Sequence, residues 1–121
     1  MAKAFEQVWK SVTGMPDAQL TRYRFVNFVA NGNVTQVSTA GGNAVGVAYE
    51  PNSPGEPTQI VVSGIAFVEI GATINPGEAV MSDDQGRAVP LTGATDPAIN
   101  HKLGTMIVGG TAGDIGSILL S

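Results

Sequence analysis

The chain has no cysteine, one histidine and little charge: 13% of its 121 residues are Asp, Glu, Lys or Arg, where about a quarter is usual. Without cysteine there is no disulfide and no thiolate chemistry. With His101 as the sole histidine, no multi-histidine metal cluster can form. A Ser-His-Asp triad would have to use His101, and no G-x-S-x-G elbow is present, so His101 reads as a loop or strand-edge residue. Long apolar runs are also missing, the longest being far short of the roughly 20 residues of a membrane span. The first ten residues lack an apolar run behind a basic start and are interrupted by Glu6, so no signal peptide is expected and the chain reads as made in the cytoplasm. A net charge of −4 argues against wholesale binding to nucleic acid or an anionic membrane.

What is present is small and apolar. Hydrophobic residues make up 43% of the chain, with 16 Gly and 7 Pro. This length suits one domain, and the size scaling allows about two-thirds of the chain's surface to be buried. A soluble domain with so few charges either packs surface against neighbours or covers it with uncharged polar residues. Charge is also unevenly placed. Residues 1–24 hold Lys3, Lys10, Arg22 and Arg24 against Glu6 and Asp17, whereas the rest holds Arg87 and Lys102 against eight carboxylates. Five of the seven aromatics (Phe5, Trp9, Tyr23, Phe25, Phe28) fall in the first 28 residues. Phe5, Val8, Trp9 and Val12 follow helical spacing, so a short helix is expected there, needing its own body or another subunit to lie on. Turn chemistry at Gly14, Met15, Pro16 and Asp17 ends it, which divides the chain into an N-terminal arm, 1–17, and a β domain, 18–121.

After about Leu20 the sequence reads as β. Residues 23–29 are aromatic and β-branched, and Asn31-Gly32 signals a hairpin before residues 34–37. A second hairpin joins residues 79–82 to 87–91 through Asp83, Asp84, Gln85 and Gly86. Residues 59–62 and 65–70 are the clearest strands, and Pro76-Gly77 suits a type II turn. Short strands punctuated by Gly and Pro predict an all-β barrel or sandwich. Offsetting residues 43–63 by 58 aligns Gly46 with Gly104, Gly55 with Gly113, Ile60 with Ile118 and Ser63 with Ser121. An offset of 54 places Asn31-Gly32 on Gln85-Gly86 and Val26 on Val80. Residues 23–63 and 77–121 thus read as two copies of one unit. The alternative is two hairpins that independently need the same turn glycines. Asn31, Gly32, Gly55, Pro76, Gly77, Gly86 and Gly113 are the expected structural turn residues.

No motif supports catalysis. The 83–86 turn lacks the spacing and terminal Glu of a calcium loop, and the Gly-rich 109–116 segment leads into a strand where a phosphate cradle needs a helix. Glu69, inside an apolar strand, either points outward or pairs with an arginine across an interface; a hydrolase pairing it with Glu78 or Asp83 would lack an aromatic-lined cleft. The chain is read as non-enzymatic, with no metal or cofactor.

The segment from Ala44 to Leu91, and then residues 103–121, resembles the cement or head-decoration proteins of tailed bacteriophages. The resemblance rests on Gly77, Glu78, Val80, Asp83, Gly86 and Val89 or Pro90, followed by Leu103, Gly104, Ala112, Gly113 and Asp114. It implies a structural virion protein on the outer capsid surface, bridging neighbouring major capsid protein subunits and stabilising the head. Such proteins are often homotrimers, with dimers in some relatives. Under this reading Phe5, Val8, Trp9, Val12, Arg22 and Arg24 are the expected capsid or subunit anchors, Trp and Arg being enriched at interface hot spots. A second reading is host-glycan recognition through the polar stretches 31–43 and 51–57.

Overall fold

The computed structural model describes residues 4, 6–29, 32–49, 53–91 and 101–120. Among these residues nine strands follow in order: β1 (Gln7–Pro16), β2 (Phe25–Phe28), β3 (Asn33–Gln36), β4 (Gly46–Ala48), β5 (Thr58–Glu69), β6 (Ala79–Ser82), β7 (Ala88–Pro90), β8 (Gly104–Val108) and β9 (Ile115–Leu120). The expected all-β class takes the form of one mixed sheet, ordered β1-β3-β2-β4-β5-β9-β8-β6-β7, with β1 also paired to β5.

The expected N-terminal helix is corrected: residues 7–16 are extended. Val8, Val12 and Thr13 are β-branched and Trp9 is aromatic, side chains that favour a strand, and a helix this short is marginal on its own. Antiparallel pairing with β5, from Gln7↔Ile65 to Gly14↔Thr58, supplies the backbone partners instead. Register shifts between Val8 and Ser11 mark a bulge, which breaks the simple alternation that would have identified a strand. The two runs 59–62 and 65–70 prove to be one strand, β5. Gly64 lies between them at φ 99°, and a Cβ there would strike the Gln7 carbonyl and the Trp9 amide. Glycine therefore admits the close passage of β1 rather than ending the strand.

One pattern of registers runs through both halves of the chain. Between β2 and β3, Val26↔Gln36, Asn27↔Thr35 and Phe28↔Val34 become, on adding 54, Val80↔Pro90, Met81↔Val89 and Ser82↔Ala88 between β6 and β7. With 58 added on the β4 side, Phe25↔Val47 and Val26↔Gly46 become Ala79↔Thr105 and Val80↔Gly104. Val47↔Val61 and Ala48↔Ile60 become Thr105↔Leu119 and Met106↔Ile118. Ser11↔Val61 and Gly14↔Thr58 become Ile65↔Leu119 and Val68↔Gly116. The parallel pair Pro16↔Val34 becomes the parallel bridge Ile70↔Ala88. β5 therefore serves twice: its start is the last strand of the first half, and its end is the first strand of the second.

The cores correspond in the same way. Leu20, Val26, Val34, Ala48 and Ile60, with Val45 and Val62 against them, form the first-half core. Their counterparts Ile74, Val80, Ala88, Met106, Ile118, Leu103 and Leu120 belong to the larger second cluster. That cluster also takes in Phe25, Val37, Val47 and Val61 from the first half, so one half lies over the core of the other.

Candidate functional site

β1 is the feature the fold leaves uncovered. From Gln7 to Thr13 every residue is exposed although the strand is paired, so both faces meet solvent. Trp9 is 62% exposed, and Val8, Val12 and Met15 are exposed with it. Large apolar side chains gathered on one strand are the pattern of an interaction site rather than of scattered surface residues. Lys10 adds a cation to the strip, and nothing in it is nucleophilic beyond the hydroxyls of Ser11 and Thr13, Ser11 donating to Gln59 Oε1 at 3.0 Å.

The remaining predicted anchors separate. Phe5 lies outside the described residues. Arg22 is exposed, with its guanidinium 5.4 Å from the centre of the Tyr23 ring, which packs on Phe67 at 5.4 Å. Tyr23 is the one described non-glycine residue with positive φ, at 65°; its counterpart is Gly77, at 88°. Arg24 is engaged within the chain: Nη2 meets Glu69 Oε2 at 3.1 Å and Nη1 donates to the Gln85 carbonyl at 2.9 Å. Glu69 is thus held by an arginine of its own chain.

Among the turn residues, Asn31 lies outside the described residues. Gly32, Gly55, Gly77, Gly86 and Gly113 all have positive φ, and Pro76 precedes Gly77 in its turn. Asp83 closes the β6–β7 turn by accepting from the Gln85 and Arg87 amides, and its other oxygen pairs with Arg87 Nε at 2.8 Å. His101 is half-buried beside β8, and its amide donates to the Gly41 carbonyl. Glu6, next to β1, accepts from the Phe67 amide; burial nevertheless raises its carboxyl above the usual value, with that hydrogen bond opposing the shift.

Met15, Phe28 and Val29 are exposed as well, although they were not among the expected anchors. Met15 was hidden in a turn motif, and the exposure of Phe28 depends on what covers its neighbours. A small cavity of about 120 Å³ lies between Phe25, Gly46, Val62, Leu103 and Leu120, below the roughly 300 Å³ at which ligand pockets begin. Among the described residues no group of three His, Cys, Asp or Glu could hold a metal. What the described residues present to a partner is one open apolar strand.

Comparison with known proteins gives the chain its family. Residues 12–120 match the model of the phage cement protein family, and the chain belongs to that family. The fold is similar to the crystal structure of the head fiber gp8.5 N base of bacteriophage phi29, with a TM-score of 0.71 and 19% identity over 93% of each chain. No curated protein matches the sequence. The protein is accordingly a phage structural protein.

Proposed function

We propose that the protein docks on the outer surface of the assembled head and bridges neighbouring major capsid subunits, with β1 as its docking strand. The observation that carries this reading is Trp9, the most exposed large apolar side chain described, on a strand with both faces open. Val8, Val12 and Met15 extend the apolar strip, Lys10 adds a cation within it, and Arg22 is a further exposed cation. Arg24 is not available to a partner while it holds Glu69, so the anchor set narrows to Val8, Trp9, Val12 and Arg22. Self-association into a homotrimer, placing three docking strands on one site, belongs to the same proposal, because linked weak contacts reinforce one another.

The test is titration of the intact protein onto undecorated heads, followed by pelleting. Trp9→Ala should weaken decoration about 30-fold, the equivalent of about 2 kcal/mol for an aromatic anchor. Unchanged affinity of Trp9→Ala would remove β1 from the interface, and failure of the unaltered protein to bind heads would overturn the proposal.

A further inference from the structure

The junction between the two halves contains one surface that is met inside the chain and leaves its counterpart unmet. The β6–β7 turn is held by the first half: Gly41 N–H donates to the Ser82 carbonyl at 2.8 Å and Phe25 N–H to the Gly86 carbonyl at 2.8 Å. Arg24 Nη1 and Gln36 Nε2 both donate to the Gln85 carbonyl. Alongside, Phe25, Val37, Val47 and Val61 form one cluster with the second-half core. Among the described residues, no such hydrogen bonds reach Phe28, Val29 or Gly32 at the ends of the corresponding connection between β2 and β3 from the second half. Phe28 is 42% exposed where its counterpart Ser82 is fully buried, and Val12 is 38% exposed where its counterpart Ala66 is fully buried. Val29 is exposed as well.

The covering face also has a counterpart. Adding the same offsets to Phe25, Val37, Val47 and Val61 gives Ala79, Leu91, Thr105 and Leu119, all only half-buried. The relation between the halves is head to tail. It carries β1 to the end of β5 and the start of β5 to β9, one strand further across the sheet each time with direction reversed, and repeating it does not return to β1. Each chain therefore carries one unused copy of both sides of a junction it already contains in fitted form.

We infer that a second copy of this chain covers the β2–β3 turn of its neighbour, seating Ala79, Leu91, Thr105 and Leu119 against Phe28 and Val29. The occupant is a second copy because this sequence already packs the equivalent surfaces together within itself. Covering this turn buries no ion pair either, since Val29 and Asn33 stand where the other half has Asp83 and Arg87. A head-to-tail contact closes into a ring where its rotation allows, and the homotrimer proposed above is such a ring of three copies. The inference deepens the self-association reading above and rests on it.

The absence of cysteine makes the test clean. A Cβ on Gly86 would lie 3.3 Å from Arg24 Cβ, so the counterpart positions, Gly32 of one copy and Glu78 of the next, are within disulfide reach. Sedimentation of the intact protein at micromolar concentration should give a mass of three or more protomers. Mixed Gly32→Cys and Glu78→Cys proteins should form a disulfide-linked pair under mild oxidation, which neither forms alone. Phe28→Ser, the residue found at the buried counterpart, should weaken association at least about tenfold with an unchanged circular dichroism spectrum; Tyr49→Ser, also at an exposed residue, should leave the mass unchanged. A monomeric intact protein would overturn the self-association reading together with this inference. An oligomer that survives Phe28→Ser and gives no mixed cross-link would overturn this inference alone.

Discussion

The two halves of the sheet share their hydrogen-bond registers and their sealed centres, Val26, Val34 and Ala48 matching Val80, Ala88 and Met106, but not the burial of the rim. Val80, Ala88 and Met106 in the second half are sealed, with Ala66 and Ser82 fully buried at the rim. In the first half the counterparts of those two rim residues, Val12 and Phe28, are open to solvent. Backbone pairing depends on strand length, turn type and the glycines that allow close approach, all of which repeat. Burial depends on what lies on top, and among the described residues it is the β6–β7 turn that the other half holds. The uncovered half is also the one carrying the exposed strand β1, so the surface left for assembly is concentrated in the first 29 residues.

The firmest way to break the comparison is at the glycines that both halves require. A Cβ on Gly46 would strike the Val61 carbonyl, and one on Gly104 the Leu119 carbonyl. Gly46→Ala and Gly104→Ala should each cost about 3 kcal/mol in denaturant unfolding, by forcing paired strands apart. A large loss at one and none at the other would show that the halves are not mechanically equivalent.

The ion pairs come next, because they differ in reach. Arg24 ties β5 and the β6–β7 turn to the segment before β2, whereas Arg87 pairs with Asp83 inside a single turn. Arg24→Ala should cost about 2 kcal/mol, since Glu69 and the Gln85 carbonyl both lose a charged donor, and Arg87→Ala no more than about 1 kcal/mol. Equal losses in thermal unfolding would deny Arg24 its role between the halves.

The smallest effect is at Glu6. Its carboxyl is raised in the folded chain by burial, so the ionised form is disfavoured there, and folding is penalised at pH values above the raised pKa. The penalty fades as pH falls through that pKa and is absent once the carboxyl is protonated in both states. Glu6→Gln should therefore raise the melting temperature slightly at neutral pH and leave it unchanged in acid. A gain that persists below the ordinary carboxylate range would contradict burial as the cause.

Much of the second half was legible in the sequence. Its turns carry Pro76-Gly77, Asp83 to Gly86 and Gly113-Asp114, local signals with one conformational meaning each. The β1 segment was not legible, because a bulged strand with apolar residues at positions 8, 9 and 12 imitates helical spacing. Gly64 misled in the opposite direction, reading as a break where it permits a crossing. For the candidate site, Trp9 was expected by residue type and Val12 by a helical spacing that the strand does not have, whereas the engagement of Arg24 and the exposure of Phe28 were decided by long-range contacts that no local pattern encodes. Phe25 and Phe28 are both aromatic and on the same strand, yet one is sealed by the second half and the other is left exposed.

The central claim, that β1 is the docking strand, is tested most directly by the affinity of the intact protein and of Trp9→Ala for undecorated heads, measured side by side with matched thermal melts. Because Trp9 is mostly exposed, the melts should coincide within about 0.5 kcal/mol while decoration weakens about 30-fold. Equal decoration by the two proteins would contradict the account.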